Sequence, residues 1–349
     1  MAKILSITNN SQECDIILTK AIQSGHTSFL LGSGASRPAI SIAGTIEVEL
    51  NKLLEKDEKE YLAKKFEFLA EIQDVTNKLV DETPDANIQA ALGNYEKFLS
   101  ILGQILDERK TMLLSKQFTI FTSNYDVFVE KAADNAININ LNDGFNRNTS
   151  LKTEFKFEPD QFFDVTQKTG NLFNYTFSVP SINLIKLHGS LTWKSDGREL
   201  VLRRSTSDIP TDEGGKGEGF EKSIQEFSDA FSLILPTRNK FNQTLLERVY
   251  YDLLRIYANT LEIENTVLIC FGFSFEDEHI LEITKRALKN PTLMLIIMAF
   301  KKDSAESYQE KFSKFNNVIV FHPDGDDELN FPVLNGLLGN VIASEKHAD

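Results

Sequence analysis

The chain has 349 residues, 41% of them hydrophobic, and its 37 basic against 51 acidic residues leave a formal net charge of -14. That hydrophobic share supports a sizeable core in one large domain or two smaller ones, while the negative balance argues against direct nucleic-acid or anionic-membrane binding outside a locally basic groove. The longest apolar stretch, 293–300, is far too short to span a bilayer, residues 1–10 have no long apolar core, and Cys14 and Cys270 are too few for a disulfide framework or a four-thiolate zinc site, so a cytoplasmic protein without membrane attachment is expected.

In chain order, Ile16, Ile17, Ala21 and Ile22 predict a short helix over 13–23, and 27–31 (TSFLL) a strand that runs into Gly32-Ser33-Gly34-Ala35-Ser36. Glycines after a strand let backbone amides approach a phosphate, and a helix start behind them would favour an anion. The same GxGxS pattern also suits a plain turn, and no glycine-lysine pair followed by serine or threonine comes after it, which excludes a P-loop. Between 45 and 116 apolar residues recur at helical spacing, from Ile46 to Leu79 and again from Ile88 to Leu106 with Pro84 in a loop between, and predict a helical insertion. A strand over 116–121 ends in Thr122-Ser123-Asn124-Tyr125-Asp126, before a helix over 127–136. A cap would account for one of Asn124 and Asp126 but not for both. Residues 137–141 read as a short strand and 142–145 as a turn; 149–180 is aromatic-rich, either a short β excursion or a covering loop.

The apolar run 182–187 reads as a strand that releases His188, Gly189 and Ser190 at its end, the place where parallel sheets bind ligands. Taken alone, His188 reads first as a satisfied loop histidine, and only the other motifs of the chain favour a functional role. Residues 212–219 (DEGGKGEG) read as a mobile lid or disordered loop, 231–235 as a strand and 241–259 as a strong amphipathic helix. The last third alternates: strand 266–271 ending in Gly272-Phe273-Ser274, helix 280–288, strand 293–298, helix 305–315 and strand 318–321. Asp277 and His279, two apart at a helix start, read as a capping carboxylate and its neighbour rather than a metal pair. Such alternation implies an α/β fold with a doubly wound parallel sheet, four of whose strands deliver polar or glycine-rich loops to one edge.

The ordered set Gly32-Ser33-Gly34-Ala35-Ser36, Thr122-Ser123-Asn124-Tyr125-Asp126, Leu187-His188-Gly189-Ser190 and Gly272-Phe273-Ser274 resembles the sirtuin family and, within it, the zinc-less NAD+ hydrolases of bacterial antiphage defence. The resemblance implies a Rossmann-like NAD-binding domain over 1–44 and 116–349, with the helical insertion 45–115 in place of a zinc-binding small domain. Two departures matter. Both CxxC pairs of the deacylases are absent, and Arg37-Pro38-Ala39-Ile40 stands where their proline-aspartate-phenylalanine-arginine segment would be. This favours NAD+ cleavage to nicotinamide and ADP-ribose over protein deacylation or ADP-ribosyl transfer; from a different class, a non-catalytic NAD+ or ADP-ribose sensor controlling assembly is the alternative.

Within the resemblance, breaking the nicotinamide–ribose bond needs the dinucleotide held in place, a polarised nucleophile and few competing waters. Gly32, Ser33, Gly34 and Ser36 are then expected at the diphosphate, and Asn124 at the attacking water or ribose hydroxyls. Asp126 would orient the nicotinamide amide or stabilise positive charge, and His188 would act as general base, as imidazoles do near neutral pH. Thr122 and Gly189 complete the cofactor loops, with Gly272 and Ser274 on the adenosine side. NAD is expected as substrate and no zinc or other metal. The resemblance further implies a homo-oligomer kept silent by a separate sensor, such as a HerA-type ATPase or a short Argonaute, since no sensor domain is visible after Asp324 and no direct nucleic-acid binding is expected.

Overall fold

The apolar runs of the sequence become the strands of one sheet, and alternation along each strand decides which layer its side chains serve. The computed structural model describes residues 1–41, 46, 49–50, 53, 58–109, 114–136, 139–147, 155–170, 175–195, 200–202 and 244–346. In chain order these form β1 (Lys3–Ser6), α1 (Ser11–Ser24), β2 (His26–Leu31), α2 (Glu58–Val80), α3 (Ala86–Glu108), β3 (Gln117–Thr122), α4 (Phe128–Asp134), β4 (Asn140–Asn142), β5 (Phe145–Asn146) and β6 (Phe155–Phe157). They continue with β7 (Gln167–Thr169), β8 (Thr176–Ser178), β9 (Ser181–Lys186), β10 (Trp193–Ser195), β11 (Leu200–Leu202), α5 (Thr244–Glu262), β12 (Thr266–Phe271), α6 (Glu278–Ala287), β13 (Met294–Met298), α7 (Lys302–Lys311), β14 (Val318–His322) and α8 (Phe331–Lys346).

The main sheet has 8 strands in the order β1-β14-β13-β12-β2-β3-β9-β4, every neighbouring pair parallel. This is the expected doubly wound α/β architecture. Phe29, Leu31, Ile120, Leu184, Val267 and Ile269 point into one hydrophobic layer with α1, α2, α3, α4 and α8. The alternate residues Leu30, Phe121, Ile185, Leu268 and Cys270 point into the other, with α5, α6 and α7. Phe29 anchors the first layer, edge-on to Phe98 at 5.2 Å and to Phe118 at 5.8 Å, so the helical segment between β2 and β3 is packed directly on the sheet. Its second helix is closed by Asp85, whose carboxylate accepts from the amides of Asn87 at 3.0 Å and Ile88 at 3.1 Å.

The register levels the strand ends. Phe271, Leu31, Thr122 and Lys186 lie in one row across β12, β2, β3 and β9, so Gly272, Gly32, Ser123 and Leu187 leave the sheet side by side. Between β2 and β12 the winding reverses: β2 leads to β3 on one side, and β12 to β13 on the other. Ligands of open parallel sheets bind at such a reversal.

Several local expectations are revised. Behind the glycine loop stands a single 3-10 turn, Ser33–Ser36, in place of an α-helix start; four residues carry little macrodipole. The described part of 149–180 is a β excursion: β6 joins β5, β10 and β11 in a 4-stranded antiparallel sheet around Phe145, Phe157 and Trp193, and β7 pairs with β8. β1 and α8 are additional to the expected elements. The loop expected at 212–219 and the strand at 231–235 lie outside the described residues, as do 137–138 of the short strand now placed at β4.

Candidate active site

Ser36 is the centre of a buried polar knot. Its hydroxyl donates to Asp126 Oδ2 at 2.7 Å and receives the Asn124 amide at 3.1 Å, with Tyr95 Oη also at 3.1 Å. One proton and two lone pairs are thereby used, so the Tyr95 hydroxyl is the donor in its contact. Asn124 Nδ2 also donates to the carbonyl of Gly32 at 3.1 Å; that oxygen only accepts, which fixes the orientation of the amide and leaves Asn124 Oδ1 buried without a hydrogen-bond partner among the described residues. The loop is pinned below by Thr122, whose hydroxyl donates to the carbonyl of Leu31 at 3.0 Å and accepts from Asn124 N at 3.0 Å. Asp126 Oδ1 accepts from the amide of Phe128 at 3.2 Å. Burial pushes the Asp126 carboxyl above its ordinary range, against the opposing pull of Lys186 and Ser36.

Lys186, the last residue of β9, ties this loop to the next. Its ammonium group donates to the carbonyl of Asp126 and, at 3.0 Å, to Ser190 Oγ, and it pairs with Glu130 Oε1 at 2.6 Å. Three donors meet three acceptors, so the buried amine leaves no hydrogen unpaired. Beyond it the chain turns at Gly189, φ +81°, and presents His188. The imidazole is 2% exposed, stacked on Tyr125 with centroids 6.2 Å apart and flanked by Tyr250 at 6.4 Å. Its Nε2 lies 3.1 Å from Asp277 Oδ2, at hydrogen-bonding distance without full alignment, and Nδ1 has no partner among the described residues. Asp277 caps α6 as expected, accepting from Ile280 N at 2.9 Å.

The glycines serve loop packing. A Cβ on Gly32 would lie 2.3 Å from the carbonyl oxygen of Gly272, and one on Gly34 2.8 Å from Gly272 Cα. The amide of Gly32 donates to the carbonyl of Phe271 and that of Gly34 to the carbonyl of Gly272, both at 3.0 Å. A phosphate at this loop must therefore find donors other than these two amides, and the Ser36 hydroxyl is likewise committed to Asp126. Ser33 is half-buried at the rim. Ser274 stands apart: it is exposed, and its carbonyl is held by Lys311 Nζ at 3.0 Å. Thus Gly32, Ser36, Thr122, Asn124 and Asp126 form one knot, His188 and Gly189 border it through Tyr125, and Gly272 packs on it from behind. Sequence reasoning missed Tyr95, Lys186 and Tyr250, and missed the second partner of Asp277; the one available signal was a lysine inside an otherwise apolar strand.

Among the described residues no group of three or more His, Cys, Asp or Glu could hold a metal ion, and no helix is long and apolar enough to cross a membrane. The SIR2-like domain family matches residues 119–319, more than half of the chain and including Asn124, His188 and Asp277. The chain belongs to the SIR2-like domain family. No curated protein matches the sequence of this SIR2-like chain. Among solved structures it is similar to a crystal structure of a Sir2 homolog–NAD complex, at 13% identity and a TM-score of 0.44, over 95% of this chain and 94% of that one.

Proposed function

We propose that this SIR2-like protein is an NAD+ hydrolase that releases nicotinamide and ADP-ribose. The observation that carries the proposal is the pair of buried polar atoms without a hydrogen-bond partner among the described residues at neighbouring strand ends, Asn124 Oδ1 and His188 Nδ1. A polar atom withdrawn from water without a partner costs about 1–3 kcal/mol, and such a cost persists in a site built to receive a donor. The donors in question are hydroxyl groups: a ribose hydroxyl or a water. NAD+ would supply the reaction with a scissile bond at a carbon that becomes electron-poor as nicotinamide leaves. Asn124, its Nδ2 fixed by Gly32 and Ser36, holds an oxygen in place by accepting its proton's hydrogen bond. His188 Nδ1 takes a proton from such a hydroxyl. Asp126 contributes a carboxylate close to the developing positive charge, and Lys186 keeps the two loops in register. Tyr125 and Tyr250 flank the ring and exclude bulk water from it.

Defence by NAD+ depletion, a silent homo-oligomer and release by a separate sensor protein belong to the same proposal, as does the division into a nucleotide-binding domain and a helical insertion. The test is to incubate the purified protein with NAD+, alone and with the product of the neighbouring gene, and to follow nicotinamide. Asn124→Ala and His188→Ala should each lower release by roughly 10²-fold or more while circular dichroism and melting stay near wild type. Binding of NAD+ without turnover under every activating condition would overturn the hydrolase reading in favour of a nucleotide sensor, and wild-type rates in both variants would overturn the site assignment.

A further inference from the structure

A capping carboxylate needs one oxygen, and Asp277 sets its second against another loop. Its Oδ1 receives the amide of Ile280 at 2.9 Å and closes the first turn of α6; its Oδ2 lies 3.1 Å from Nε2 of His188 on another loop. Serine or asparagine would cap the helix about as well, so the cap leaves the second oxygen's position unexplained. The ring it faces is buried between Tyr125 and Tyr250 and has no other partner among the described residues. A neutral imidazole carries one N–H and one lone pair, and a carboxylate accepts only. The nitrogen opposite Asp277 must therefore hold the proton, and the lone pair falls to Nδ1.

We propose that Asp277 is a positioning residue for His188: it holds the ring as the Nε2–H tautomer and so keeps Nδ1 as the atom that accepts a proton. The consequence for turnover rests on the role proposed above for His188; the tautomer does not. When Nδ1 takes a proton from a hydroxyl, the Nε2–H bond stays intact, the positive charge of the imidazolium lies opposite the carboxylate, and Asp277 remains ionised. Burial works against that ionisation, but contact with His188, the Ile280 amide and the charge of His279 together carry the Asp277 carboxyl below its ordinary range. The titratable groups around the ring are Tyr125, Tyr250 and Asp277, with His279 acting on the carboxylate.

Side-chain nitrogen NMR on 15N-histidine-labelled protein, with His188→Gln to assign the signal, reads the tautomer directly. Wild-type His188 should be Nε2–H. In Asp277→Asn the cap oxygen stays on Ile280 N–H, which leaves the amide nitrogen facing the ring; a donor there demands a lone pair at Nε2, so the tautomer should invert to Nδ1–H. Nicotinamide release should fall by roughly 10²-fold through kcat rather than KM. Asp277→Ser keeps a cap but does not reach the ring, and should lose activity without inversion. A wild-type ring protonated at Nδ1 overturns the inference even if no variant folds, and so does an uninverted ring in a folded Asp277→Asn protein. If the tautomers behave as stated but the wild type releases no nicotinamide under activating conditions, the hydrolase reading fails and the positioning of His188 by Asp277 stands.

Discussion

Two aspartates at this site, Asp126 buried and Asp277 half-buried, are held in opposite ways, and their titration should separate them. Burial raises Asp126, so its folded pKa lies above the unfolded one; its protonated form is favoured by folding, and that stability is present below the ordinary value of 3.8 and is lost as pH rises through the raised value. Asp277 is lowered, despite its burial, by His188, Ile280 N and His279; its stability is present above 3.8 and is lost as pH falls through the lowered value. In urea unfolding across acidic pH, Asp126→Asn should gain on the wild type as pH rises above that reference, whereas Asp277→Asn should fall behind the wild type as pH rises toward it. Slopes of the same sign for both variants would contradict the assignment. Asn124, Asp126 and His188 were legible as polar residues at strand ends. Their partners were not, because Tyr95, Ser36 and Asp277 meet them only after distant segments have packed, and no spacing rule joins a helix cap to a histidine on another strand.

At the scale of elements, the glycines separate into those that packing requires and those it does not. Gly272 combines φ +66° with a Cβ position 2.6 Å from the amide of Ala35, so Gly272→Ala should cost about 3 kcal/mol and loosen the knot in front of it. Around Gly93 in α3 and Gly336 in α8 the space a Cβ would take is open, with nothing within 4 Å of it, and alanine there should stabilise by about 0.5–1 kcal/mol each. Chemical denaturation of the three variants checks both signs. The same positions explain what could be read in advance. β12, with its unbroken TVLICF, and the amphipathic α5 announce themselves. β1 has four residues, too few for a period, and α8 is apolar on several sides with two glycines, because it is wedged against both α1 and α3 and has no single polar face. The strands of the small antiparallel sheet are two or three residues long, too short for a period, and meet through backbone pairing between distant segments and the ring contacts of Phe145, Phe157 and Trp193.

For the whole molecule, the alternation of the last third was enough to give the parallel sheet, but not its order, which depends on which strand ends up beside β2. That neighbour is β12: His26 pairs with Thr266 and Leu31 with Phe271. β1 is likewise paired with β14, Lys3 opposite Ile319. Contacts between such remote segments form late, because the loop must close before any pairing rewards it. During synthesis, therefore, the first strand of the crevice waits for most of the chain to emerge before Gly272 can lock against Gly32 and Asp277 can reach His188. A ribosome-bound chain stalled before residue 266 should bind no NAD+ and should leave Asn124 and Ser36 open to hydrogen exchange, while one extended past α8 should protect them; protection in the shorter chain would show that the crevice assembles without β12. A protein proposed to destroy a vital cofactor would thus be harmless until β12 and the loop that follows it have left the ribosome.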